Sequence, residues 1–373
     1  MPAAMKRSLL LGPALLTILV ACASDPPPPP APPPAPTTNS MVTAPPAPPA
    51  EPTAEEKKKA DDKAKLEKDR VKMKADLETE TARWTPEMKT EAKALEDKSF
   101  GSGKDAIKAA QMAKFRKPEN AARDKYRHPV ETMDFFGFKP GMTVIDYGPG
   151  DGWYTELLAP ATAKKGKYIA TSGDAHGPED SRGTFMAQKW AGFLATSPEL
   201  YGKVETITTD GKNPGLPNED GKADMIVAFR ELHGMVNAGT LDGWLAAFNT
   251  ALKTGGILGI EEHRAPADSN PTEMSKKGYL PEKFVIEKIE AAGFKLAGKS
   301  EINANKADTK DYPDGVWTLP PSLQKGETDK AKYQAIGESD RMTLKFTKVA
   351  KKADAMAMKP GTMAAPAMTP KKP

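Results

Sequence analysis

The chain has 373 residues, with 54 Lys and Arg against 50 Asp and Glu, so its formal net charge of +4 is close to balance. No basic stripe interleaved with aromatics stands out, which argues against a nucleic-acid partner. A single cysteine excludes an intrachain disulfide framework, and no repeat of solenoid period is visible.

The first segment reads as an address. Lys6 and Arg7 precede an apolar run from Ser8 to Ala21. That run is short for a bilayer span and suits the core of a signal peptide, so residues 1–21 are expected to be a leader. It ends Leu19-Val20-Ala21-Cys22, which resembles a bacterial lipobox, and Cys22 is the one cysteine of the chain. The resemblance implies cleavage before Cys22 and lipid on its sulfur and amine. It implies a periplasm-facing lipoprotein of the bacterial envelope, joined to the membrane through its anchor. Ala23 rather than Asp at the second mature position leans towards the outer membrane.

Residues 22–54 are mostly Pro, Ala and Thr and read as a stiff tether in polyproline II. At ~3.1 Å per residue its proline-rich part, Pro26 to Pro52, spans up to roughly 80 Å. Residues 55–100 carry dense mixed charge, with Leu66, Val71, Met73 and Leu77 as the apolar candidates of the first part. They are expected to form a solvated helical stalk. Within them Thr85-Pro86 reads as an N-cap and first helical position opening a second helix towards Lys98. Gly101-Ser102-Gly103 breaks it, which places a globular domain at 101–349, about 250 residues and enough for one α/β core.

The run Phe115 to Pro129 is rich in hydrogen-bonding side chains, among them Arg116, Arg123, Arg127 and His128, and Pro129 opens a helix to Phe136. Next comes Val144-Ile145-Asp146-Tyr147-Gly148-Pro149-Gly150-Asp151-Gly152, followed by a helix-like segment from Thr155 to Ala161. This predicts a buried parallel strand, a tight turn with backbone pressed against a ligand, and a helix N-terminus beyond. A glycine-rich turn without a ligand is the plainer alternative. Asp146 is placed to accept hydrogen bonds from a ligand or from the N–H groups of the loop.

Four further strands alternate with helices: Lys167–Thr171, Val204–Thr209, Ala223–Phe229 and Ile257–Ile260. The nearest acid after the second is Asp174; after the third it is Asp210, which a simple turn would equally explain. The fourth runs into Arg230-Glu231-Leu232-His233 and the fifth into Glu261-Glu262-His263-Arg264. Two of the four histidines therefore fall just past neighbouring strands, at the edge where open parallel sheets bind ligands. The pair His233 and His263 with an acid lacks the tight ligand spacing of a metal centre, so no metal is expected. A helix from Pro281 to Gly293, a strand from Phe294 to Ile302, a loop at Asp311–Trp317 that suits an acceptor-side wall, and a strand from Arg341 to Lys348 complete the domain. The tail, 350–373, reads as disordered, although Met356, Met358, Met363 and Met368 are also soft-metal ligands.

The spacing Asp-x-Gly-x-Gly-x-Gly resembles motif I of class I S-adenosylmethionine-dependent methyltransferases. With Phe115–Pro129, Phe135-Phe136-Gly137 and Lys139-Pro140-Gly141-Met142, it resembles a bacterial family of exported, predicted methyltransferases, matching from about Phe115 to Phe346. The resemblance implies a Rossmann-like α/β fold with a mostly parallel seven-stranded sheet, helices on both faces and an antiparallel last strand, here preceded by a helical extension. It implies S-adenosylmethionine as cofactor, with Asp146, Gly148, Gly150 and Gly152 as its loop, Asp174 near the ribose and Asp210 near the adenine. For an unidentified small-molecule methyl acceptor, His233 or His263 is the candidate base, Arg230 and Arg264 hold the acceptor, and Arg127 and His128 close over it. A ligand-binding or envelope-structural lipoprotein with a degenerate version of this fold is the alternative. The missing acid at the end of the second strand favours it.

Overall fold

A computed structural model describes residues 53–350 together with Pro30. The expected leader, most of the tether with Cys22, and the tail with its methionines lie outside the described residues.

The N-terminal part is helical: α1 (Ala54–Arg83), α2 (Pro86–Asp97), α3 (Gly103–Gln111), α4 (Pro118–Ala121), α5 (Asp124–Arg127) and α6 (Pro129–Phe136). The Thr53 side chain and Glu56 form a reciprocal capping box at the start of α1, and the Thr85 hydroxyl accepts from Met88 N to cap α2. Then come β1 (Thr143–Tyr147), α7 (Thr155–Thr162), β2 (Lys167–Ser172), α8 (Arg182–Ala195), α9 (Pro198–Tyr201), β3 (Glu205–Thr208), β4 (Ala223–Phe229), α10 (Leu232–Asn237) and α11 (Leu241–Ala251). The chain closes with β5 (Leu252–His263), α12 (Pro271–Ser275), α13 (Glu282–Ala291), β6 (Phe294–Ser300), α14 (Lys330–Ile336) and β7 (Arg341–Lys348).

The strands form one sheet in the order β3-β2-β1-β4-β5-β7-β6. The first five run parallel, and β7 is antiparallel to both β5 and β6. This is the Rossmann-like, mostly parallel seven-stranded sheet with an antiparallel last strand that the resemblance implies. β5 is longer than expected. Its pairing with β4 jumps from Leu252 to Ile257, so Gly255 and Gly256 sit in an excursion inside one strand instead of ending the preceding segment.

Strand alternation feeds two cores. Val144 packs on the α3, α6 and α7 side with Met133 and Leu157, while its neighbour Ile145 packs on the α11 and α13 side with Phe248 and Ile289. The charged segment set apart as a stalk belongs to the first core. Trp84 stacks on Phe115 at 5.8 Å and meets Tyr201 edge-on, and Ala92 is fully buried. Arg70 donates to Gln188, and Arg182 to Asp69, fastening α1 to α8. A boundary at residue 101 thus falls inside one packed unit. A pattern of charge marks which face is solvated, but a few apolar side chains suffice to dock the other. No helix among the described residues is long and apolar enough to cross a membrane.

β1 lies between β2 and β4. The chain steps outward one way from β1 to β3 and the other way from β4, so a crevice opens beyond the carboxyl ends of β1 and β4.

Candidate functional site

A cavity of about 310 Å³ occupies that crevice, lined by Asp146 and Gly148–Asp151 from the loop after β1 and by Phe229–Glu231 with His233 after β4. His263 from β5, the α4–α5 segment and the turns carrying Trp317 and Ser339 close its other sides. Between Tyr147 and Trp153 the cavity is bounded by Gly148–Asp151, with the Glu231 carboxyl packed against Gly148 and free space beside Gly150. Its floor is apolar: the rings of Tyr154 and Phe229 stack at 3.5 Å and 10°.

The three loop glycines serve different ends, although all have positive φ. A Cβ on Gly148 would lie 2.6 Å from the Glu231 carboxyl carbon, and one on Gly152 would lie 2.4 Å from the Phe193 ring. At Gly150 it would meet nothing within 4 Å. Gly152 is therefore glycine for packing against α8 and does not line the cavity, whereas Gly148 and Gly150 do. The Gly148 N–H donates to the Thr171 hydroxyl on β2, which fixes the loop's first turn.

Asp146 is buried. One carboxylate oxygen accepts from the Tyr168 hydroxyl at 2.6 Å; the other, Oδ1, is buried with no hydrogen-bond partner among the described residues. Burial pushes this carboxyl up to about 6, against the opposing pull of Tyr168 and Arg230. Its neighbour across the loop, Glu231, is pushed by burial to about 8, with Glu262 and Asp146 adding to the rise.

Glu262 is fully buried and accepts from Leu232 N, His233 N and His263 N, as well as facing His233 Nδ1 at 3.0 Å. Burial by itself would lower the His233 pKa, but the Glu262 carboxylate outweighs it and the net shift is upward. His263 stands 5.6 Å away, ring to ring, with Nδ1 2.6 Å from the Ser339 hydroxyl. Burial, His233 and the arginines around it hold His263 well below its ordinary pKa, so it is neutral. The two histidines thus differ: His233 faces a carboxylate that raises its pKa, and His263 faces a hydroxyl and is held neutral.

Behind them lies an ion network. Arg230, itself at φ 65°, donates to Glu261, which also faces Arg341. Glu338 takes Arg123, Arg127 and Arg341. Burial opposes ionisation of both acids, but Arg341, Arg230 and Arg127 hold Glu261 below the usual carboxylate range, and Arg127, Arg341 and Arg123 hold Glu338 at about 2.

The structure brings together Asp146, Gly148, Gly150, Arg230, His233 and His263 around one cavity, with Arg127 beside them. Four other residues stand elsewhere. Asp174 is exposed and accepts from His176 N two residues on. Asp210 is exposed and accepts from Lys212 N and Asn213 Nδ2, so the turn explanation describes it. Arg264 faces Glu282 and Glu301, outside the cavity, and His128 turns to Asn303. Among the described residues no cluster of His, Cys, Asp and Glu is arranged to hold a metal. Sequence reasoning passed over Glu231, Arg123, Glu338 and Ser339. Glu231 had a signal in its place between Arg230 and His233; Glu338 and Ser339 come from a turn with none. The loop proposed as an acceptor-side wall does contribute Val316 and Trp317.

No model of a known protein family matches this sequence, and no curated protein matches it. Solved structures similar to it include a SAM-dependent methyltransferase from Aquifex aeolicus, 23% identical with a TM-score of 0.38, covering 55% of this chain and 94% of that one. An S-adenosylmethionine-dependent methyltransferase from Mesorhizobium loti is 14% identical with a TM-score of 0.35, covering 56% and 91%. The [4+2]-cyclase SpnF is 18% identical with a TM-score of 0.40, covering 60% and 81%. At these scores the likeness adds nothing to what the sheet order itself displays.

Proposed function

We propose that this chain is an S-adenosylmethionine-dependent methyltransferase acting on a small-molecule acceptor, held in the bacterial envelope by lipid on Cys22 and facing the periplasm, at the outer membrane. The observation that carries the catalytic part is Asp146 Oδ1, a buried acceptor without a partner among the described residues, at the rim of an open glycine loop. A buried oxygen of this kind costs free energy until a donor arrives. Asp146, Gly148 and Gly150 are the residues that would hold the cofactor. The cofactor supplies, when bound, an electrophilic methyl on a sulfonium that carries its own leaving group.

The chain's own residues then have modest tasks. His233, backed by Glu262, takes a proton from the acceptor where transfer requires it, and the carboxylate stabilises the imidazolium that results. Neutral His263, fixed by Ser339, offers its other ring nitrogen to the acceptor. The stacked Tyr154–Phe229 floor and the Trp317 wall keep water away and align the reacting atoms.

Calorimetric titration of the purified full-length chain with S-adenosylmethionine and S-adenosylhomocysteine tests this. Micromolar binding that disappears in Asp146→Ala supports it. No heat for either compound supports the second reading, a ligand-binding or structural envelope lipoprotein. The engagement of Asp174 and Asp210 in their own turns, away from the cavity, speaks for that reading. The lipid anchor is tested separately by mass spectrometry of the mature N-terminus, where an unmodified Cys22 would refute it.

A further inference from the structure

The arginines at and behind the cavity outnumber the carboxylates that they pair with. Arg123, Arg127, Arg230 and Arg341 share only Glu261 and Glu338, four guanidiniums against two acids. Arg123 and Arg127 each spend Nε on Glu338, and Arg230 spends Nη1 on Glu261. The Nη1 and Nη2 atoms of Arg123 and Arg127 and the Nε and Nη2 of Arg230 have no hydrogen-bond acceptor among the described side chains. All three residues line the cavity. The Arg127 guanidinium lies 4.9 Å from the Trp153 ring, and although the residue is largely buried its free nitrogens are not among the buried atoms without a partner, so they face the cavity. A planar guanidinium fork that opens into a cavity suits the two oxygens of a carboxylate or a phosphate.

We propose that the methyl acceptor is a small organic anion whose carboxylate or phosphate group is held by Arg123, Arg127 and Arg230. This rests on the methyltransferase reading and names the substrate class of the same site. The wall is continuous with the candidate base: Glu338, which orients Arg123 and Arg127, is followed by Ser339, which holds His263, and Arg230 lies three residues before His233. An oxyanion there places the rest of the molecule against the histidines. Asp146, on the loop side, repels an anion and suits a cationic neighbour instead.

The test is calorimetric titration of the purified full-length chain, with and without saturating S-adenosylhomocysteine. The probes are 3-hydroxybenzoate, its neutral counterpart 3-hydroxybenzamide, and inorganic phosphate. At least one anion is expected to bind about tenfold or more tightly than the amide. Arg123→Gln and Arg230→Gln are expected to abolish that preference while leaving S-adenosylhomocysteine affinity within about twofold. Arg127→Lys, which keeps the charge but loses the fork, should weaken the anion less than Arg230→Gln does. Equal binding of anion and amide, or no binding of either anion, overturns the proposal. So does a loss of S-adenosylhomocysteine affinity in the arginine variants that spares 5′-methylthioadenosine, because the donors would then serve the cofactor's own carboxylate. Absence of S-adenosylhomocysteine binding sinks the methyltransferase reading instead, and the anion preference is then read on the chain alone.

Discussion

Glu262 holds His233 at two points: one carboxylate oxygen lies 3.0 Å from the imidazole Nδ1, and the other accepts the backbone N–H of the same residue at 3.2 Å. Glu262 is the penultimate residue of β5 and His233 lies in α10, just past the end of the neighbouring β4, so the dyad is built across the sheet and not along the chain.

Because the folded pKa of His233 is raised, the ion pair stabilises the fold at pH values below the ordinary histidine range and is lost as pH rises through the folded value. Glu262→Gln should lower the His233 pKa, seen by NMR titration of the imidazole. The stability gap between wild type and variant should shrink from acid to alkaline pH. A gap that widens with pH would contradict the pairing.

Asp146 behaves in the opposite sense from a salt-bridged aspartate. Its folded value of about 6 lies above the ordinary 3.8, so ionisation disfavours the fold as pH rises through that interval. The difference amounts to about 3 kcal/mol at neutral pH and above. Asp146→Asn should therefore melt higher than wild type at pH 8 and converge with it towards pH 4, while losing S-adenosylhomocysteine binding. Thermal scans across pH, with calorimetry on the same variant, check both halves.

Glu338 runs the other way. Held at about 2 by three arginines, it stabilises the fold above the ordinary carboxylate range and loses that contribution as pH falls towards its folded value. Glu338→Gln strips three guanidiniums of a partner and should cost about 3–5 kcal/mol in urea denaturation at pH 7. The deficit should fade in strong acid.

Gly152→Ala and Gly150→Ala separate packing from backbone strain. Both require left-handed backbone, worth roughly 1–2 kcal/mol. Only Gly152 also drives a methyl into Phe193, adding about 1–3 kcal/mol. Denaturant midpoints should therefore fall further for Gly152→Ala, and Phe193→Leu should recover part of that loss.

Trp84→Ala tests whether the charged N-terminal helices belong to the domain. The indole is buried, donates to Glu80 and stacks on Phe115. Its removal should cost about 3–5 kcal/mol and shift a single cooperative transition. A separate early transition with the main one unmoved would restore the stalk.

The strand order of chemistry along the chain was legible because each strand end is local. Apolar runs followed by Gly148-Pro149-Gly150, by Arg230-Glu231-Leu232-His233 and by Glu261-Glu262-His263-Arg264 announce where strands stop and which side chains sit there. What lay beyond reach was partnership. His263 and Arg264 are adjacent, yet alternate strand geometry sends one into the cavity and the other towards Glu282 and Glu301. Asp174 and Asp210 sit in suitable places by number but close their own turns, because an aspartate beside free backbone N–H groups satisfies itself first.

The sequence by itself determined the sheet, the glycine loop and the two histidines, since these follow from period, turn chemistry and position at strand ends. Only the tertiary structure decided that Glu338 and Ser339, about 75 residues from His263, help to build the cavity. It alone also decided that α1 and α2 share the core and that four arginines at and behind the cavity share Glu261 and Glu338. Which charges meet in the cavity depends on which distant segments fold against one another, and no local pattern records that.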